Sequence, residues 1–305
     1  MASGREIVLS GATGLVGAAL ATSLSEAGWG VRALTRRPRI ARFPAQVRAV
    51  GWDGLQVESN TLAWASALVH LAGEPIFGGP LNRSRRKHIR ESRVASTRSL
   101  VAALGRLPAS ERPRTLLCAS AVGYYGSRGD EELDEAAEPG EGFLADVCVD
   151  WESAALLAQR HDVRVVCLRM GVVLAREGGA LPRLLLPFRL GLGGRLGSGR
   201  QWFPWIHLDD LVALLHAALE DESWSGPVNA VSPQPVPNAD FSRALGKQLG
   251  RRTPLPVPAF VLRAALGDLS GELLGSRRTV PRAAQDRDFQ FQYASLEHAL
   301  ANLLE

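Results

Sequence analysis

Lysine is nearly missing from this chain. Of its 35 basic residues only Lys87 and Lys247 are lysines, so arginine carries almost all the positive charge. That bias reads as a compositional habit and says little about partners. Cysteine is scarce too: Cys118, Cys148 and Cys167 are odd in number and far apart. Such a set makes neither a disulfide framework nor a zinc site, both of which need close pairs. Cys118 and Cys167 stand in the strand-like runs "TLLCAS" and "VRVVCLRM", where a buried free thiol is the usual finding. The six histidines do not cluster either, so no metal is expected. No apolar run approaches the ~20 residues of a membrane helix. The opening "MASGREIVLSGATG" lacks the basic, apolar and small-residue succession of a signal peptide, so the expected compartment is the cytoplasm.

What is present suits a globular protein. Hydrophobic residues make up 46% and charged residues 22%, enough for a sizeable core. A length of 305 residues suggests roughly two domains. The densest basic run, "RSRRKHIRESR" at 83–93, has no interleaved aromatic residues to stack on bases. It reads as a solvated helix face rather than a nucleic-acid patch.

Through residue 175 apolar runs of strand length alternate with helical patterns. "EIVLSGA" (6–12), "VRALTRR" (31–37), "VRAVGW" (47–52), "SALVHLAGE" (66–74), "TLLCASAVG" (115–123) and "VRVVCLRMGVVL" (163–174) are the strands. Continuous Val/Leu/Ile runs are what a parallel sheet covered on both faces requires. The pattern predicts an α/β, Rossmann-like doubly wound parallel sheet. Its domain is expected over 1–175, completed by a returning segment at 205–230. A smaller, interleaved C-terminal cap and substrate region is expected over 176–305, where Gly and Pro interrupt the helices. Asp209 or Asp210 is the expected N-cap of the helix in "WIHLDDLVALLHAAL".

"SGATGLVG" sets Gly11, Gly14 and Gly17 between the first strand and a helix. Such glycines let backbone approach a pyrophosphate at a helix N-terminus. The second strand ends in Thr35, Arg36 and Arg37 rather than in the carboxylate that holds the ribose hydroxyls of NAD(H). Two guanidiniums suit a 2′-phosphate, so NADP(H) is the expected cofactor. Leu71, Ala72, Gly73 and Glu74 close the fourth strand, where backbone passes the cofactor. Arg93 falls on the apolar stripe Ile89–Arg93–Thr97–Leu100–Leu104. It must meet a cofactor or substrate phosphate, meet an internal carboxylate, or snorkel out.

The pieces "GATGLVG", "HLAGE", "SAVGYYG", "LDE" at 133–135, "LRMGVVL" and "WIHLDDL" resemble the extended short-chain dehydrogenase/reductases. "WESAA", "GLGGRLGSGRQWFPWIHLDDL" and "PVPAFVLRAALGDLSGELLGSRRTVPRA" narrow the likeness to an atypical branch. That branch is NAD-dependent epimerase/dehydratase-like and is sometimes labelled cell-division-inhibitor-like. The resemblance covers about residues 6 to 300. It implies a Rossmann fold, an NADP(H) ligand and a small cap. Carried onto this chain's motifs, it extends the cofactor set to Thr13, Leu15, Val16, Gly171 and Val172.

The chemistry of the resemblance does not carry over whole. Its general acid is a tyrosine with a lysine four residues on; here those places hold Cys148 and Glu152. No Tyr-x-x-x-Lys occurs anywhere, since Arg83 and Arg243 stand four residues before the two lysines. The serine is kept as Ser120, and Tyr124 and Tyr125 are the phenols near it. Ser120, with Tyr124 or Tyr125 as proton donor, is therefore the candidate catalytic set. Arg200 and Gln201, after a glycine run, are candidate substrate contacts. His207 reads as a core or capping histidine. Two functions follow. One is an NADP(H)-binding oxidoreductase-like or epimerase-like protein acting on a small carbonyl or hydroxyl compound in a cleft. The other is a non-catalytic NADP(H)-binding sensor that engages a protein partner, in cell division for instance. Oligomeric state is not readable from the sequence.

Overall fold

The structure, a computed structural model, describes residues 5–251, 253 and 255–305. Seven parallel strands form one central sheet: β1 (Glu6–Ser10), β2 (Gly30–Thr35), β3 (Val47–Gly51), β4 (Ala67–His70), β5 (Thr115–Ala121), β6 (Arg164–Met170) and β7 (Gly226–Ala230). Their spatial order is β7-β6-β5-β4-β1-β2-β3. The chain thus runs outward from β1 to one edge, returns, and builds the other half from β4. Ligands of such sheets bind at the carboxyl ends where the order reverses, here between β1 and β4.

Apolar side chains cover both faces. On one, α1 (Leu15–Glu26) and α5 (Leu208–Glu220) bury Leu20, Leu24, Leu211, Leu214 and Leu215 against the sheet. On the other, α2 (Arg83–Gly105) and α3 (Phe143–Leu156) bury Leu100, Leu104, Trp151 and Ala155. A further core joins α4 (Leu181–Arg189), α6 (Asn238–Gln248) and α10 (Leu296–Leu304). The short helices α7 (Ala259–Leu266), α8 (Ser270–Leu274) and α9 (Arg282–Gln285) complete the chain. No helix among the described residues is long and apolar enough to cross a membrane.

Two local features differ from the expected ones. The sixth strand stops at Met170, and Val172–Leu174 pairs instead with Trp205–His207. A Cβ on Gly171 would lie 2.9 Å from the Pro204 carbonyl oxygen, so only glycine lets the chain leave the sheet there. The N-cap of α5 is His207, whose Nδ1 accepts from the Asp209 N–H at 3.1 Å. Asp210 instead turns inward and accepts the backbone N–H groups of Gln292 (2.7 Å) and Tyr293 (3.0 Å).

One polar link crosses the core. His70, at the end of β4, bonds Ser10 of β1 through Nδ1 at 2.6 Å and Ser96 of α2 through Nε2 at 3.2 Å. Burial, with Arg93 adding to it, holds its imidazole down at about 3 from an ordinary 6.5. The unfolded chain therefore binds a proton between those two values that the folded chain refuses. Folding stability falls as pH drops below 6.5, by about 2 kcal/mol at pH 5 for this one group. Urea unfolding at pH 7 and pH 5 should show that loss, and His70→Gln should remove it, whatever its effect at pH 7.

Candidate active site

Two cavities open at the carboxyl ends of the strands. The larger, about 1060 Å³, runs from Gly11, Thr13 and Gly14 past Leu71–Glu74 to Thr35, Arg36 and Arg37. It has the features of an anion-binding groove. Gly11 adopts φ 78°, and a Cβ there would lie 2.7 Å from the Leu71 carbonyl carbon. The loop is thereby pressed against β4. Helix α1 begins at Gly14 with no side-chain cap and no acidic residue in its first turn. Its leading N–H groups are left for a ligand's phosphates. Neither Arg36 nor Arg37 is in an ion pair among the described residues.

The other glycine-loop candidates stand behind this groove. A Cβ on Gly17 would sit 2.2 Å from the Gly11 carbonyl oxygen, so Gly17 lets α1 pack on the loop. Val16 packs on the core, and Leu15 meets Gly178 and Gly179. Trp52, Asp53, His88 and Ser92 line the groove and were not singled out by sequence. Trp52 and Asp53 directly follow β3, at the same sheet edge, and that position was the available signal.

The second cavity, about 430 Å³, lies between the sheet edge and the C-terminal helices. Its walls are mainly apolar, including Phe77, Val147, Phe188 and Phe203. Ser120, Cys148, Gly171, Val172 and Gln201 line it, and Leu71 and Gly73 line both cavities. Gln201 donates Nε2 to the Leu196 carbonyl at 2.9 Å, so it also fixes its own loop. Arg200 is exposed and lines neither cavity.

Ser120 anchors a buried polar network. Its hydroxyl donates to Glu152 Oε1 at 2.6 Å. Arg169 grips the same carboxylate with a two-pronged fork, Nε to Oε1 and Nη2 to Oε2, both 2.9 Å. Its Nη1 donates to the Tyr125 hydroxyl at 2.9 Å, and that hydroxyl donates to Asn229 Oδ1 at 2.7 Å. Asn229 Nδ2 in turn donates to the Val280 carbonyl at 2.9 Å. The sheet register explains the alignment: Ser120, Arg169 and Asn229 sit side by side on β5, β6 and β7.

This arrangement settles where the phenols stand. Tyr125 is fully buried, its hydroxyl is engaged on both sides, and burial pushes it up to about 12 against the Arg169 charge. The Tyr124 ring lies 3.5 Å under the Arg169 guanidinium, and its hydroxyl is raised by burial. Neither tyrosine lines the cavity. Cys148 does, but burial, and after it the Glu152 charge, pushes its thiol up to about 11. It is a poor thiolate. Burial alone would lower Arg169, yet its bonds to Glu152 and that carboxylate's charge raise it above the ordinary value.

Glu152 stands where the resemblance has a lysine, and its partner is distant along the chain. Arg169, inside the apolar "VRVVCLRM", was the missed signal: a charge within a buried strand needs a counter-charge. Arg93 shows the opposite outcome. It donates Nη1 to the carbonyls of Glu74 (3.0 Å) and Ile89 (3.2 Å), lies over the Trp151 ring, and meets no carboxylate among the described residues.

The fork yields a stability test. Arg169→Met alone strands a buried carboxylate and should cost about 3–5 kcal/mol in guanidinium unfolding. Adding Glu152→Leu should recover most of that loss.

Residues 7–230 match the family model described as the NAD dependent epimerase/dehydratase family, and residues 257–303 match a domain of unknown function, DUF1731. Epimerase family protein SDR39U1 of Homo sapiens is 35% identical over 303 residues, 98% of this chain and 99% of its own. The chloroplastic SDR39U1 homolog of Arabidopsis thaliana is 37% identical over 306 residues, 98% of this chain and 86% of its own. The crystal structure of human SDR39U1 with NADPH has a TM-score of 0.87 at 34% identity, covering 98% of each chain. MoeE5 in complex with UDP-glucose and NAD has a TM-score of 0.77 at 19% identity, covering 98% of this chain and 97% of its own, a likeness of fold alone.

Proposed function

This chain belongs to the NAD dependent epimerase/dehydratase family, and we propose that it is an NADP(H)-dependent oxidoreductase acting on a small carbonyl or hydroxyl compound. The observation that carries the reading is Ser120, which faces a cavity adjoining the groove and donates a hydrogen bond to a buried carboxylate. The groove fits the cofactor through its close-packed Gly11, the uncapped start of α1, and two arginines, unpaired among the described residues, where an acid would favour NAD(H). Bound NADPH in the crystal structure of human SDR39U1 supports the same choice.

When bound, the nicotinamide supplies or accepts the hydride. The chain's own residues move the proton. In the oxidising direction the substrate hydroxyl gives its proton to Ser120 Oγ, and the Ser120 proton passes to Glu152 Oε1 along the 2.6 Å bond. In the reducing direction both transfers reverse, and solvent restores the proton on Glu152. Arg169 holds the carboxylate in line, and Asn229 holds Tyr125 against Arg169. The site thus substitutes a serine–glutamate relay for the absent tyrosine and lysine.

A second reading, an NADP(H)-binding sensor, is favoured by one observation. No residue of α7 is buried, and Phe260 is 70% exposed, so this apolar helix offers a face to a protein partner.

Absorbance at the NADPH band, in a desalted metabolite extract, tests the enzyme reading. Oxidation is expected with the wild-type protein, and Glu152→Gln should slow it by about 10²–10⁴, the usual worth of a general acid/base. Tight NADPH binding without oxidation would leave the sensor reading. Separately, Arg36→Glu with Arg37→Glu should weaken NADPH by roughly 100-fold, from the loss of charge-assisted bonds. NADH affinity should hardly change, as fluorescence titration of both nucleotides would show.

A further inference from the structure

The second cavity contains three charged side chains, and among the described residues only one lacks an ionic partner. Arg277 is paired with Glu272 at 2.9 Å. Arg93 is not: the nearby Glu74 carboxylate turns to Arg85 at 3.4 Å. Arg93 uses Nη1 on backbone carbonyls, while no bond is formed by its Nε or Nη2 among the described residues. A half-buried guanidinium with a free edge in an apolar cavity is costly unless an anion meets it. Burial lowers it from the ordinary value, the direction expected of a charge short of compensation.

Position limits what that anion is. Arg93 lines the apolar cavity and not the nucleotide groove, which puts it on the substrate side. Ser120 and Cys148 line the same cavity as Arg93, which puts the cation and the serine hydroxyl in one space. One guanidinium edge matches one carboxylate, in the two-pronged geometry that planar groups favour. A nucleoside diphosphate sugar is a poor match. Its two phosphates would have to leave water for walls that offer a single free cation among the described residues.

On the reading that this is an oxidoreductase, we propose that its substrate is an oxo or hydroxy acid: an apolar body, a carbonyl or hydroxyl at Ser120, and a carboxylate at Arg93. The acid's body fills the space between Val147, Phe188 and Phe203. Arg93 sets specificity for the acid and takes no part in binding the nucleotide.

Calorimetric titration of the NADPH-saturated protein tests this with three probes: 6-phenylhexanoate, its neutral amide, and UDP-glucose. The carboxylate is expected to bind at least about tenfold more tightly than the amide, and UDP-glucose more weakly than either. In Arg93→Gln the preference for the carboxylate should vanish, while affinity for the amide and for NADPH stays within about twofold. Equal binding of acid and amide, tighter binding of UDP-glucose, or no saturable binding of any probe would overturn the proposal. So would loss of NADPH affinity in Arg93→Gln. Failure of the wild-type protein to bind NADPH at all would instead sink the oxidoreductase reading on which the proposal rests.

Discussion

The fork between Arg169 and Glu152 is the interaction around which the surroundings of Ser120 are built. Two charges this deeply buried persist only when each satisfies the other and their remaining hydrogen-bonding capacity is also met. Here the carboxylate takes Ser120, and the guanidinium takes Tyr125 and stacks on Tyr124. A helix, two strands and the loop after β5 are fixed relative to one another by one pair. The same pair explains how Glu152 can stand where a lysine would serve a tyrosine base. The cation stands instead on β6, and the carboxylate accepts the hydrogen bond of the serine.

The two cavities share Leu71 and Gly73 in their walls, directly after the strand where the sheet order reverses. Gly73 lies close against Arg93: a Cβ there would come within 3.2 Å of the Arg93 guanidinium carbon and press the side chain aside. The backbone that borders the larger groove thus also borders Arg93 in the second cavity.

Much of the fold was legible because it rests on local rules. Buried parallel strands announce themselves as unbroken apolar runs, and Gly11 is demanded by a turn that only glycine can make. The end of the sixth strand was less legible, since Gly171 ends it by contact with Pro204, a residue far along the chain. The catalytic end was hardest to read. Ser120 could be picked out, but the roles of Glu152, Tyr125 and Asn229 depend on register between strands that are remote in sequence. Proximity in sequence made Tyr124 and Tyr125 look like donors to a substrate. Proximity in space makes them supports for an arginine.

The inward turn of Asp210 has a consequence for how the molecule is made. Its carboxylate holds Gln292 and Tyr293, Glu135 Oε1 accepts from Ala283, and Asn229 needs the Val280 carbonyl. Residues 280–293 are therefore part of the sheet's own polar closure, although they are synthesised long after its strands. A ribosome that has delivered β7 has delivered every strand of the sheet but not the groups that complete the row of Ser120, Arg169 and Asn229. Until that late segment emerges, Asp210 lacks the two backbone N–H groups that it holds in the folded protein. The nucleotide groove, made wholly of residues up to 92, can be complete before the chemistry beside it is.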